Sequence, residues 1–206
     1  MPWHVKVTGA YNRESAEAQD NAKMIYNVLR GLGWSLPAVA GMLGNVEAES
    51  GYNPWRWQSD SVLEYGSSYI NVQSGHAYGL CQWDPAGKYI NNGSGYSGYG
   101  PNYSNLIGSL ADGAAQMAYL NDNADYYPTT NYPLSYAQYK VADIAQYSID
   151  YLARAWFYNF ERGTWSANRV TAAEYWYQFL SSQPVGGRIP IWLMFKLKEG
   201  GNSGRV

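Results

Sequence analysis

The stretch Gly44-Asn45-Val46-Glu47-Ala48-Glu49-Ser50-Gly51-Tyr52-Asn53-Pro54 ends an apolar-faced helix and sets two carboxylates in its last turn. Val39, Met42, Leu43 and Val46 precede or join it at spacings of three and four, the period of one helical face. Ser35 is suited to cap the start, and Pro37 is tolerated in a first turn. Gly51 is a ready C-cap, and Asn53-Pro54 cannot continue the helix, so the spacing predicts a stop near Ser50.

A second amphipathic helix is expected upstream, from about Arg13 to Leu32, with Ala18, Ala22, Ile25, Val28, Leu29 and Leu32 on one face and Gly31 and Gly33 at its end. Downstream, residues 51–105 change to Gly, Ser, Asn, Tyr and Trp. Helical patterning returns over Leu106–Leu120, Val141–Phe157 and Ala172–Leu180. The chain thus divides into an arm (1–12), a mainly α domain with a loop or small hairpin between its second and third helices (13–182), and a tail or linker (183–206). The Gly/Tyr-rich segment 91–101, with Tyr96 and Tyr99, is expected to border a cleft as a lid.

Of 206 residues, 46 % are apolar and 15 % charged, which is globular composition. The excess lies in 21 Tyr and 9 Trp against 4 Phe. Such rings suit wet sugar-binding surfaces and hydrogen-bonded cores alike, and composition leaves both open. A net charge of −2 without a basic run argues against nucleic acid and anionic membranes as partners. The single Cys81 excludes an intrachain disulfide framework. The start lacks the blocks of a signal peptide, so synthesis in a host cytoplasm is expected, with release by lysis or carriage on an assembly.

Glycoside hydrolysis needs a carboxylic acid that holds its proton near neutral pH. Partial burial and the negative end of a helix both disfavour a carboxylate anion. At about 100° per residue Glu47 and Glu49 flank the apolar face on opposite sides, and periodicity does not choose between them. Glu49 lies nearer the helix end.

A second segment, His76-Ala77-Tyr78-Gly79-Leu80-Cys81-Gln82-Trp83-Asp84-Pro85, follows downstream. Together the two segments resemble lytic transglycosylases and goose-type lysozymes, where a helix ending in Glu-Ser with Asn-Pro precedes Gly-Leu-x-Gln. They resemble bacteriophage tail lysozymes more closely, through Gly44-Asn45, Arg56-Trp57-Gln58 and Gly79-Leu80-x-Gln82-Trp83. Gly33-Trp34-Ser35, Asn159-Phe160-Glu161-Arg162 and Glu174-Tyr175-Trp176 extend the likeness over roughly residues 18–180.

The resemblance implies an α+β lysozyme-like fold and a muramidase-like glycosidase that cuts peptidoglycan between N-acetylmuramic acid and N-acetylglucosamine, on a phage tail with tail proteins as partners. It makes Glu49 the catalytic acid and demotes Glu47 to a neighbour. It puts Gln82 at the cleft floor and Tyr158-Asn159 at a cleft position of related transglycosylases. Trp57, Tyr78 and Trp83 are further candidates for sugar contact, although Trp beside a tight turn is also common core. Glu161 reads as a buried partner of an arginine rather than a second catalyst. Gly163 stands where the tail lysozymes carry a proline, so that turn is expected to differ.

No second carboxylate is assigned; Asp60, Glu64 and Asp84 are available to activate a water. Transglycosylases need none, because the sugar's own hydroxyl closes an anhydro ring. A thiol peptidase fits poorly, since His4 and His76 both precede Cys81. Neither a metal nor a cofactor is implied. The alternatives carried forward are a lytic transglycosylase and a glycan-binding or structural tail module without turnover.

Overall fold

The computed structural model describes residues 3–6, 8–58, 77–90 and 112–183. Among these the order is α1 (Ala16–Gly31), α2 (Leu36–Ser50), α3 (Gly87–Ile90), α4 (Asp112–Asn123), α5 (Tyr136–Lys140), α6 (Ile149–Trp156), a π-turn (Phe157–Glu161) and α7 (Asn168–Ser181). Isolated antiparallel bridges join Trp57 to Tyr78 and Tyr78 to Trp83, and no longer strand occurs among the described residues. The architecture is mainly α, as expected of a lysozyme-like domain.

α2 is the central element. The Ser35 hydroxyl accepts from Ala38 N (3.3 Å) at its start, and Gly51 closes it at φ 54°, a conformation that glycine adopts at little cost. Every residue from Ala38 to Val46 is buried, so the helix is enclosed on all sides rather than on one face. It packs most extensively on α7 and α6. Two glycines make that approach possible. A Cβ on Gly44 would stand 2.2 Å from Arg169 O and 2.8 Å from Ala173 Cβ, and one on Gly41 would stand 2.9 Å from Leu152 Cβ.

The described residues of the arm have no regular structure, but they are bonded to the end of α2. Asn53 Nδ2 donates to Lys6 O (2.9 Å) and Gly9 O (3.0 Å), and Tyr11 N donates to Gly51 O (2.9 Å). Among the described residues most of the Tyr and Trp side chains are buried. Tyr139 donates to Ala38 O (3.0 Å) and Tyr136 to Leu120 O (2.6 Å), so phenols satisfy carbonyls within the packing.

Three boundaries differ from the sequence reading. The helix expected over 141–157 is regular only from Ile149, because the Ser148 side chain caps it there, accepting from Tyr151 N (3.1 Å). Val141 and Ile144, which suggested an earlier start, are exposed. α7 begins at Asn168 rather than Ala172, and α5 was not foreseen, although Ser135 and Gln138 form a capping box at its start. The lid segment 91–101, the start of the helix expected from Leu106 and the tail beyond Gln183 lie outside the described residues.

Adding one methyl group at the α2–α7 contact forces backbone apart. Gly44→Ala is expected to destabilise the domain by about 1–3 kcal/mol, as overpacking does, measured by urea or thermal unfolding. Ala48→Gly, on the exposed side of the same helix, should cost no more than about 1 kcal/mol.

Candidate active site

Glu49 stands in the last turn of α2, partly exposed, with its Oε1 2.8 Å from Arg169 Nη2. Arg169 belongs to the first turn of α7 and is buried. Its Nη1 donates to Asn45 Oδ1 (3.1 Å), and its guanidinium lies 4.9 Å from the Phe157 ring centroid. A cation at a helix N-terminus opposes the helix dipole, so the carboxylate of Glu49 compensates a charge that α7 itself disfavours. Asn45 is held in turn, its amide donating to Gly41 O and Ala153 O (both 3.0 Å). The Gly44-Asn45 pair therefore ties α2 to α6 and α7, and so fixes the arginine that orients Glu49.

Glu47 faces elsewhere. Tyr52 donates to its Oε2 (2.6 Å), the Trp176 indole donates to Tyr52 Oη (2.5 Å), and Arg13 Nε lies 3.5 Å from the same carboxylate oxygen. That chain of partners makes Glu47 a link between α2, α7 and the start of the chain.

Glu49 opens on a cavity of about 330 Å³ lined also by Arg56, Gln58, Ala77, Gln82 and Asp84. The structure thus brings Glu49 and Gln82 together across some thirty residues of sequence. Gln82 has φ 45°, and its Nε2 donates to Arg56 O (2.9 Å) and Gly79 O (3.0 Å). Both amide hydrogens are used, which fixes the orientation of the side chain and leaves its oxygen as an acceptor. Asp84 is exposed on the cavity wall, whereas Asp60 and Glu64 lie outside the described residues.

The other candidates do not line this cavity. Trp57, Tyr78 and Trp83 are buried behind it, Trp57 against Tyr78 (4.6 Å between centroids) and Trp83 stacked on Tyr89 (5.2 Å). Tyr78 donates to Asp112 Oδ2. Backbone bridges join these three positions, and all three rings are packed in the core. Asn159 is also buried, donating to Tyr126 Oη (3.0 Å) and Tyr132 O (2.8 Å) and accepting from Thr129 N (2.9 Å). Tyr158 is exposed but stacks between Tyr132 (5.2 Å) and Trp165 (5.9 Å).

Glu161 differs from its expected role. Its hydrogen bond comes from the Trp156 indole (3.1 Å), while Arg169 is bonded to Glu49. Arg162, in the left-handed region at φ 57°, turns away to Asp125 O and the Tyr127 ring. The residue is partly exposed, but its carboxyl is enclosed. Burial, and then the charge of Glu49, push that carboxyl well above the ordinary range. Cys81 is buried, and burial followed by the charges of Glu161 and Glu49 raises its thiol strongly, the reverse of an activated nucleophile. Among the described residues no group of His, Cys, Asp and Glu could hold a metal ion.

The sequence model of the phage tail lysozyme family matches residues 20–180. The chain belongs to the phage tail lysozyme family. Over 71 residues it is also 42 % identical to Morphogenesis protein 1 of Bacillus phage B103, covering 34 % of this chain and 17 % of that protein. The chain therefore spans less than a fifth of the length of that relative. The matched span runs from within α1 to the last turn of α7, so Glu49, the cavity, Glu161 and Arg169 all fall inside it. No described helix is long and apolar enough to cross a membrane.

Arg169→Met leaves Glu49 and Asn45 without their shared partner. It should destabilise the domain by about 3 kcal/mol, the lower end of the range for breaking a buried pair, because Glu49 keeps some contact with water. Chemical denaturation measures this. Cys81 should resist iodoacetamide at pH 8 in the native state and react promptly in urea, read by mass spectrometry; rapid native labelling would contradict the packing described.

Proposed function

We propose that this chain is a glycosidase of bacterial peptidoglycan, in which Glu49 protonates the oxygen leaving from the bond between N-acetylmuramic acid and N-acetylglucosamine. The observation that carries this reading is the oriented carboxyl of Glu49 at a polar cavity shared with Gln82 and Asp84. Membership of the phage tail lysozyme family supports the same substrate and a place on a phage tail, with tail proteins as partners. The walls of the cavity suit a sugar strand. Arg56 and Gln58 bring polar side chains to it, and the fixed oxygen of Gln82 accepts a hydrogen bond from an acetamido N–H or a hydroxyl.

Asp84 lines the same cavity as Glu49 and is the described carboxylate available there to activate a water, the second role that an inverting hydrolase requires. The competing transglycosylase route uses the 6-hydroxyl of the muramic acid and needs no second carboxylate. Glu49→Gln removes the donated proton and keeps the shape, so wall degradation should fall by about 10²–10⁴-fold, the usual worth of acid catalysis. Glu47→Gln should cost far less turnover. If the two variants behaved the other way round, the assignment would be wrong. Asp84→Asn separates the two routes, since it should abolish a hydrolytic product seen by mass spectrometry but spare an anhydro one.

A further inference from the structure

Away from Glu49 the described residues enclose a second cavity, of about 500 Å³. It lies between the segment 144–150, at the start of α6, and the stripe of α7 that carries Glu174, Tyr177 and Gln178. Those three positions are spaced by three and four residues, so they share one side of the helix. Arg169, which holds Glu49, precedes Glu174 by five residues, and positions five apart on a helix point about 140° from each other. The two cavities have no lining residue in common. One helix thus serves Glu49 on one side and the second cavity on another.

The lining combines rings with unengaged polar groups. Tyr147 and Tyr177 bring half-buried phenols, each with an apolar face and a hydroxyl tip. Tyr151 stacks on Tyr147 (5.3 Å between centroids) and steadies that ring. The amides of Gln146 and Gln178 each offer two donors and an acceptor, and among the described residues no protein group takes them.

Charge narrows the class of ligand. The lining holds no Lys, Arg or His, so nothing in it compensates an anion. Asp150 is already neutralised, both of its oxygens accepting from Arg154 Nε (2.9 and 3.1 Å). Glu174 is exposed and makes no ion pair among the described residues, and a carboxylate with two oxygens accepts from two neighbouring hydroxyls. A cationic peptide would engage that carboxylate and little else, whereas a sugar engages the carboxylate, the amides and the rings.

We propose that this cavity is a second glycan-binding site, without a catalytic role, which holds one strand of N-acetylated sugars while another is cut at Glu49. The choice of sugar rests on the substrate proposed above. The wall is an insoluble mesh of strands, and a hold on one keeps Glu49 at a high effective concentration beside the next.

Glu174→Ala with Gln178→Ala tests this at two exposed helical positions, where alanine favours the helix and the fold is kept. The probe is chitotetraose, a soluble tetramer of N-acetylglucosamine, titrated into isotope-labelled protein in a Glu49→Gln background that suppresses turnover. Amide signals of 144–150 and 174–178 should shift, together with a separate set around Gln82. The double variant should bind about tenfold more weakly at the first set, the worth of one or two hydrogen bonds, and keep the second. Shifts confined to the surroundings of Gln82 overturn the proposal and leave the glycosidase reading intact. So does a trilysine peptide that moves 144–150 and 174–178 where chitotetraose does not.

Wall degradation supplies the second readout. At limiting enzyme the double variant, with Glu49 intact, should degrade purified sacculi about tenfold more slowly and keep the parent's rate on short soluble wall fragments. An equal loss on both substrates, or none on either, overturns the proposal. Should the parent degrade no wall while chitotetraose still shifts 144–150 and 174–178, the glycosidase reading fails and the second site stands.

Discussion

Where Gly44 passes beneath the backbone of Arg169, α2 and α7 come closer than any side chain would permit. That approach brings a guanidinium into the packed interior, and an unpaired cation there would be costly. Its hydrogen bonds determine the surroundings. Asn45 turns its oxygen toward Arg169 and its amide toward α6, Phe157 lies flat beneath the charge, and Glu49 closes the set from the end of α2. The catalytic candidate is thus held by the tightest contact between helices, rather than by the loops that shape the cavity beside it.

The same constraint separates two glutamates that the sequence leaves nearly equivalent. Glu47 and Glu49 sit two residues apart on one helix, yet one is tied into a chain through Tyr52 and Trp176 and the other meets Arg169 and open space. Residue type is the same, and the partners differ: Tyr52 and Arg13 for Glu47, Arg169 of α7 for Glu49.

What could be read from the sequence was local. The caps of α2, Ser35 and Gly51, act within a few residues of themselves, and both are found as expected. The pairing of Glu49 with Gln82 at one cavity came from a family pattern rather than from periodicity. Arg169 left no signal, because its partners lie more than a hundred residues away and an arginine at a helix start looks like solvated surface. The π-turn was equally hidden, since an i to i+5 bond has no sequence period of its own. Trp57 and Trp83 were ambiguous for a different reason. Composition does not tell whether an indole faces solvent or core, and here both rings are buried.

The hydrogen-bonded tyrosines of the interior carry a consequence for the limits of the fold. Burial raises the phenols of Tyr52, Tyr119, Tyr126 and Tyr139 above the ordinary tyrosine value. In the unfolded chain such phenols ionise near pH ~10. Their contribution is complete below that point and drains away as alkalinity rises further, because only the unfolded chain releases those protons readily. A core built from phenylalanine would meet base with indifference. This one has an alkaline ceiling, and there the phenolate signal of these four buried rings should appear together with the collapse of the fold, on top of the gradual titration of exposed tyrosines such as Tyr127.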